Sequence, residues 1–206
     1  MSFKTAAIIT TSCFLLGVLL SGLGNADWPL LYTSNWTKND LDRAERYYLT
    51  LFEAPGAVPA LLHGMVGVCL LALSAKLARW QETNLFFDGS SLALVVAAMA
   101  LYGTVTVPNL RTLARQPVAE QQVALAGRMR AWLKREMATG PELAKPPPLD
   151  DQLRFEVLSL VCAANNLIIA LLVGVVLFQA SQVYAHWQYE REMKKMAAEE
   201  ATRKRQ

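Results

Sequence analysis

The chain has few of the residues that build metal centres, disulfide frameworks or hydrolytic active sites. It contains 3 cysteines and 2 histidines among 206 residues. Because Cys13, Cys69 and Cys162 lie in apolar stretches without a CxxC pair, we expect buried structural thiols and no disulfide framework. His63 and His186 belong to no group of ligands at metal-binding spacing. The sequence therefore predicts no metal, no cofactor and no enzyme active site.

Charge is also scarce, and it is unevenly distributed along the chain. Only 18% of the residues are charged, the net charge is +3, and the charges are concentrated in a few segments. Such a small positive balance gives no support for binding to nucleic acid. Crowding of charge into short segments is expected when the rest of a chain lies in lipid.

The chain instead contains long apolar stretches. Residues 157–179 form 23 residues without a charge, which as a helix measure about 34 Å and can cross a hydrocarbon core of about 30 Å. Residues 5–23, 58–77 and 85–107 are comparable apolar stretches, of which the second contains one charged residue, Lys76, and the third one, Asp88. The sequence therefore predicts an all-α, polytopic membrane protein with four transmembrane helices, which form a membrane domain over residues 1–180.

Two features of the N-terminal part concern processing. Residues 5–23 could instead be a cleaved signal peptide, since Gly24 and Ala26 suit the small-residue cleavage rule, but the apolar run is longer than usual for one. Asn35 begins a formal glycosylation sequon close to the membrane. Sequons of three residues are common by chance, so the sequence does not decide whether Asn35 is used.

Two large segments separate the spans, and each contains an amphipathic pattern. In residues 24–57, Thr37 and Asp40 match a capping box, and an apolar stripe follows it with charged residues on the other face. The stripe comprises Leu41, Ala44, Tyr48, Leu51 and Phe52, and the charged face comprises Asp42, Arg43, Glu45 and Arg46. In residues 108–156 a second stripe comprises Leu125, Met129, Trp132 and Leu133. We expect two short amphipathic helices. For the first, packing over the end of the bundle is favoured over contact with a client; the second lies in the interface or packs on the first loop.

A few polar or small residues inside the spans are candidates for contact with another membrane protein. Gly64 and Gly67 suit close approach of helices. Asp88 lies near the start of its span, where capping of the helix is favoured over binding of a client. Asn165 and Asn166 differ by about 100° around a helix, so one can face the bundle and the other a client; both roles stay open.

His63 is a further polar residue inside a span. It lies about one turn into the second span, where it can either hydrogen-bond within the bundle or contact a client or relay protons. Since no acidic residue is visible near its depth, the first interpretation is favoured.

Pro108 and Asn109 are expected to end the third span. The turn between the second and third spans is short, so these two spans are expected to be antiparallel neighbours.

The C-terminal segment, residues 181–206, is predicted to continue the last helix into water as a basic tail. It pairs acidic with basic residues at i,i+4 spacing. Arg203 and Lys204 resemble a dibasic retrieval signal, although a plain basic surface tail fits equally well. The basic residues are shared almost evenly between the two faces but are denser in the short segments, so we expect cytosolic termini and lumenal loops at 24–57 and 108–156.

Four sequence blocks resemble a known family. They are F-L-L-G at 14–17, D-W-P-L-L-Y at 27–32, Y-Y-L-T-L-F-E-A-P at 47–55 and N-L-F-F-D-G-S-S-L-A-L at 84–94. They are similar to the fungal packaging chaperones of amino-acid permeases in the endoplasmic reticulum, the Shr family. The resemblance implies a non-enzymatic chaperone of the endoplasmic-reticulum membrane, with amino-acid permeases as clients and COPII coat components as partners of the tail.

Two other functions compete with the chaperone interpretation. A small transporter subunit would need an ionisable residue deep in the membrane, and one acid near a helix end makes a poor ion path. A different four-span scaffold, such as a tetraspanin-like organiser, would be expected to have disulfides in its extracellular loops, and no cysteine lies in a loop here.

Overall fold

The computed structural model describes residues 3–78, 82–114 and 150–203, and this part of the chain is helical without a β-strand. The helices are α1 (Phe3–Gly22), α2 (Trp28–Tyr32), α3 (Lys38–Phe52), α4 (Ala57–Leu77), α5 (Glu82–Leu101), α6 (Val107–Ala114) and α7 (Asp151–Arg203). Four helical units are long and apolar enough to cross a membrane: Phe3–Tyr32, Ala57–Leu77, Leu85–Ala114 and Asp151–Glu200. The predicted all-α architecture with four transmembrane helices is thereby confirmed.

Two of the spans continue beyond the apolar stretches through π-helical turns. The turn Leu23–Asp27 joins α1 to α2, and the turn Tyr102–Thr106 joins α5 to α6. The prediction that Pro108 and Asn109 end the third span is wrong. Pro108 is the second residue of α6, a position where a helix does not need its missing N–H, and the preceding π turn changes the hydrogen-bond register there.

Helix α7 is the central element of the bundle. It is 53 residues long and packs against α1, α2, α3, α5 and α6. Its approach to α5 is close at Gly174, where a Cβ would lie 2.9 Å from Cδ1 of Leu94. The core beside it combines residues of α1, α4, α5 and α7, namely Ile8, Cys69, Leu73, Val95 and Val175. The described tail is helical to Arg203, as the i,i+4 pattern predicts.

Helix α3 packs over one end of the bundle, and its start is the predicted capping box. The Asp40 backbone N–H donates to Oγ1 of Thr37 at 3.3 Å, and the Thr37 backbone N–H donates to Oδ2 of Asp40 at 3.0 Å. These bonds from Thr37 hold the pKa of the Asp40 carboxyl below its usual value. Two positions depart from the predicted stripe: Glu45 is buried and Leu51 is exposed.

The cysteines only partly follow the expectation of buried thiols. Cys69 and Cys162 are buried, whereas Cys13 is exposed, and all three are free. Cys13 lies on α1, beside the buried Ser12, and it faces away from the bundle. A membrane span is apolar on all sides, so apolar sequence around Cys13 cannot tell a core-facing from a lipid-facing position.

The predicted amphipathic stripe of Leu125, Met129, Trp132 and Leu133 lies outside the described residues, as does Lys204.

Candidate functional site

The first polar cluster is an ion pair buried between two adjacent spans. Nζ of Lys76, in the last turn of α4, lies 2.7 Å from Oδ1 of Asp88 in α5. The Asp88 side chain is fully buried and that of Lys76 is 10% exposed. An ionised side chain at membrane depth needs a partner, because the hydrocarbon offers none. The pair therefore fixes α4 against α5 at the end of the bundle where the short turn lies.

Two glutamines of α7 complete this cluster. Lys76 Nζ donates to Oε1 of Gln179 at 2.8 Å and to Oε1 of Gln182 at 2.6 Å. Gln179 Nε2 donates to Asp88 Oδ1 and to Ser91 Oγ, both at 3.0 Å, and Gln182 Nε2 donates to Asp88 Oδ2 at 3.3 Å. These five residues, which we call the Lys76 cluster, join α4, α5 and α7 with every charge paired.

The place of Asp88 corrects its predicted role. Helix α5 begins at Glu82, so Asp88 is nearly two turns inside the helix and cannot cap its free N–H groups. The carboxylate instead bonds to Lys76, Gln179 and Gln182. Asp88 is also a candidate for contact with a client, but both of its carboxylate oxygens are directed into the bundle.

A second polar cluster, the Asp27 cluster, lies beneath α3. It consists of Asp27, Tyr48, Cys162 and Asn165, all buried. Tyr48 Oη donates to Oδ1 of Asp27, and Asn165 Nδ2 donates to Tyr48 Oη at 2.9 Å. Burial raises the pKa of the Tyr48 phenol, so the hydroxyl keeps its proton and remains a donor. The cluster connects the π turn after α1, α3 and α7.

The neighbouring asparagines point to different partners. Asn165 is buried in the Asp27 cluster, whereas Asn166 is half-buried and its Nδ2 lies 3.4 Å from Oη of the exposed Tyr32. Their separation of about 100° around the helix accounts for this division. Of the two candidates, Asn166 is the one with an amide near the outer surface.

An ionic clamp attaches α3 to the first turns of α7. The guanidinium of Arg154 donates to Oδ1 of Asp42 at 2.8 Å and to Oε2 of Glu45, and to Oδ1 of Asp151 at 2.8 Å. This set explains why Glu45 is buried although the helical pattern places it on the polar face. A planar guanidinium can serve three carboxylates at once, which holds α3 in a defined position.

The side of α4 that faces away from the bundle is open. Of the candidate spans, α4 has the smallest share of buried residues, 11% against 39% for α7. Gly64 and Gly67 have no atom within 4 Å of where a Cβ would be. Gly56, Ala60 and Gly64 are exposed and follow one another at i,i+4 spacing. Such a surface lets another helix approach closely in lipid.

Two contacts in the tail beyond the Lys76 cluster join residues of the same helix. His186 Nε2 lies 3.1 Å from Oε1 of Glu190, and the Arg191 guanidinium lies 4.4 Å from the centre of the Trp187 ring. Arg203, a predicted retrieval residue, is exposed at the end of α7. Most of the described tail residues from Tyr184 onward are exposed.

These features define a class: a four-span helical membrane protein whose polar side chains hold the bundle together and whose α4 surface is open. Within the described residues no group of His, Cys, Asp or Glu could hold a metal ion. The family model of the SHR3 chaperones, described as ER membrane protein SH3, matches residues 1–206. The chain belongs to this family of endoplasmic-reticulum membrane chaperones, and the resemblance drawn from its sequence blocks is confirmed.

No significant match is found among curated proteins or among solved structures.

Proposed function

We propose that this protein assists the folding of amino-acid permeases in the endoplasmic-reticulum membrane and their packaging into COPII vesicles. Its membership of a membrane chaperone family supports the general role. The observation that carries the proposal furthest is the open α4 surface, where Gly64 and Gly67 leave room for a foreign helix. Amino-acid permeases are the clients that the sequence blocks imply.

The physical need for such a surface comes from how polytopic proteins are made. A permease exposes polar groups of its early spans until the later spans arrive, and unsatisfied polar groups in lipid are costly. A chaperone can shield them by close helix packing and weak hydrogen bonds, each about 0.6 kcal/mol. Binding of this strength permits release once the client is complete.

The candidate contact residues divide into two groups. Gly64 is exposed, Gly67 is half-buried with open space where a Cβ would lie, and Asn166 is half-buried, so these three are proposed to meet the client. Asp88 and Asn165 direct their polar atoms into buried clusters, so their proposed task is to keep the bundle in shape.

The tail is proposed to recruit the coat. We propose that both termini lie in the cytosol and that the loops at 24–57 and 108–156 lie in the lumen. Because α7 is one helix from Asp151 to Arg203, the tail is continuous with the span that carries both polar clusters. Arg203 and Lys204 are proposed to return the chaperone to the endoplasmic reticulum if it leaves with its cargo.

Capture of newly made permeases tests the client assignment. Pulse-labelled, tagged permease should co-purify with the wild-type chain from a mild detergent extract. Gly64→Leu fills the open surface and should reduce capture, whereas the matched control Gly24→Leu, which also has open space but lies in the π turn after α1, should not. Equal capture by both variants, or ion or amino-acid flux in liposomes that contain only this chain, would contradict the proposal.

A further inference from the structure

Two polar side chains face outward from neighbouring spans with polar atoms that have no partner. Nδ1 of His63 in α4 lies 2.5 Å from the carbonyl oxygen of Pro59, so it carries the ring proton and leaves Nε2 as a free acceptor. Tyr102, at the end of α5, is 42% exposed. The two rings are 6.2 Å apart. Among the described residues, no hydrogen bond reaches His63 Nε2 or Tyr102 Oη.

Counting residues along the helices places these two side chains within the membrane. His63 lies 13 residues before Lys76 on α4, about 20 Å away, and Tyr102 lies 14 residues after Asp88, about 21 Å away. Since Lys76 and Asp88 form one ion pair, His63 and Tyr102 share a second level. A hydrocarbon core of about 30 Å that begins near the Lys76 cluster still contains this level.

Free polar atoms at this depth need an explanation, because the hydrocarbon cannot satisfy them. Elsewhere in the fold, polar groups at the same level are paired by hydrogen bonds. Asn166 lies 13 residues before Gln179, again about 20 Å, and its amide meets the Tyr32 hydroxyl. The adjacent amide of Asn165 donates to the hydroxyl of Tyr48. Amide-to-phenol bonds are therefore how this fold pairs its polar groups at that level.

We propose that His63 and Tyr102 form a lipid-facing binding site for an amide side chain, Asn or Gln, on a transmembrane helix of the client. The amide NH₂ would donate to Nε2 of His63, and its carbonyl oxygen would accept from the hydroxyl of Tyr102. This site rests on the proposed chaperone function and names the polar contact within it. Because Tyr102 lies at the end of α5, the proposed client-binding surface includes part of α5 as well as the open surface of α4 around Gly64.

The backbone around the site gives such a helix room. Gly64 and Gly67 on α4, and Gly103 in the π turn after α5, have no atom within 4 Å of the position that a Cβ would occupy. Tyr102 also begins that π turn, and π turns inside helices are frequent at functional sites. A helix seated between α4 and α5 can thus approach both polar atoms closely.

Two conservative substitutions at exposed positions test the site. Tyr102→Phe removes the hydroxyl alone, and His63→Phe replaces the imidazole by an apolar ring that has no hydrogen-bonding atom. Each should lower capture of a tagged amino-acid permease about threefold, the effect of one weak membrane hydrogen bond. Tyr189→Phe, at an exposed tyrosine of the tail, is the matched control and should leave capture unchanged.

A photo-crosslinking amino acid supplies the second readout. Placed at Tyr102 it should crosslink to the permease, whereas at Phe14, of similar exposure on α1, it should not. Unchanged capture by the single variants, or crosslinks at Tyr102 to a second copy or to lipid alone, would overturn the site while wild-type capture persists. Failure of the wild-type chain to capture any permease would instead overturn the proposed function.

Discussion

Nζ of Lys76 lies 2.7 Å from Oδ1 of Asp88 in the interior of the four-helix bundle. Each residue belongs to a different span, and Gln179 of α7 bonds to both. Removal of one member of a buried pair leaves an uncompensated charge, whereas replacement of both by apolar residues is far less harmful. The Lys76 cluster therefore holds α4, α5 and α7 together through an ion pair and hydrogen bonds.

The first prediction compares the loss of one charge of the Lys76–Asp88 pair with the loss of both. Asp88→Leu should lower the free energy of unfolding by about 3–5 kcal/mol, because the Lys76 ammonium is left unpaired. The double variant Lys76→Met/Asp88→Leu should recover most of this loss. Thermal unfolding in detergent micelles measures both. A double variant as unstable as the single one would show that the pair's charge balance is not what matters.

The second prediction concerns the glutamine that bridges the pair. Gln179→Leu removes a donor to Asp88 and to Ser91 and an acceptor for Lys76. We expect a loss of about 1–3 kcal/mol, because buried partners lose their hydrogen bonds. Gln188→Leu, which removes an exposed amide bonded to Tyr184, should change the unfolding temperature little. Similar losses for both variants would argue against a special role for Gln179.

The third prediction addresses the Asp27 cluster. Tyr48→Phe deletes the hydroxyl that joins Asp27 to Asn165, which leaves two buried polar groups without that bond and should cost about 1–3 kcal/mol. Tyr47→Phe removes an exposed hydroxyl that lies 2.9 Å from Oγ of Ser21 and serves as the control. Unfolding of both variants in the same detergent makes the comparison; equal stability of the two would contradict the assignment.

The fourth prediction tests the clamp on α3. Arg154→Lys keeps the charge but loses the planar fork that reaches Asp42, Glu45 and Asp151. Amide hydrogen exchange should become faster throughout α3 and stay unchanged in α4. Arg43→Lys, which alters an exposed pair with Asp40, should leave α3 as protected as in the wild type. Protection of α3 in the Arg154 variant would mean that its apolar contacts alone hold it.

The sequence predicted the four spans because composition over about 20 residues decides whether a helix can lie in lipid. It also predicted the start of α3, since a capping box is a local pattern between Thr37 and Asp40. Helix ends were harder to predict. Pro108 indicates a stop, yet the π turn before it lets the helix continue, and nothing local in the sequence indicates a π turn.

The partners of buried polar residues could not be predicted, because they depend on which faces of distant helices meet. Asp88 alone suggests a helix cap; with Lys76 and Gln179 it is an ion-pair site. A hint was present, since an acid and a base at corresponding levels of two adjacent antiparallel spans can pair. Tyr48 and Asp27 gave less indication, because a tyrosine and an acid near an interface are ordinary there.

The aggregation state of newly made permeases shows whether this protein keeps its proposed clients from aggregating in the membrane. Tagged permease, pulse-labelled in cells with and without this protein, is extracted in mild detergent and sedimented. We expect large permease aggregates retained in the endoplasmic reticulum of deleted cells, monodisperse permease when the wild-type chain is restored, and unaffected delivery of other membrane cargo. Monodisperse permease that reaches the cell surface normally in deleted cells would contradict this expectation.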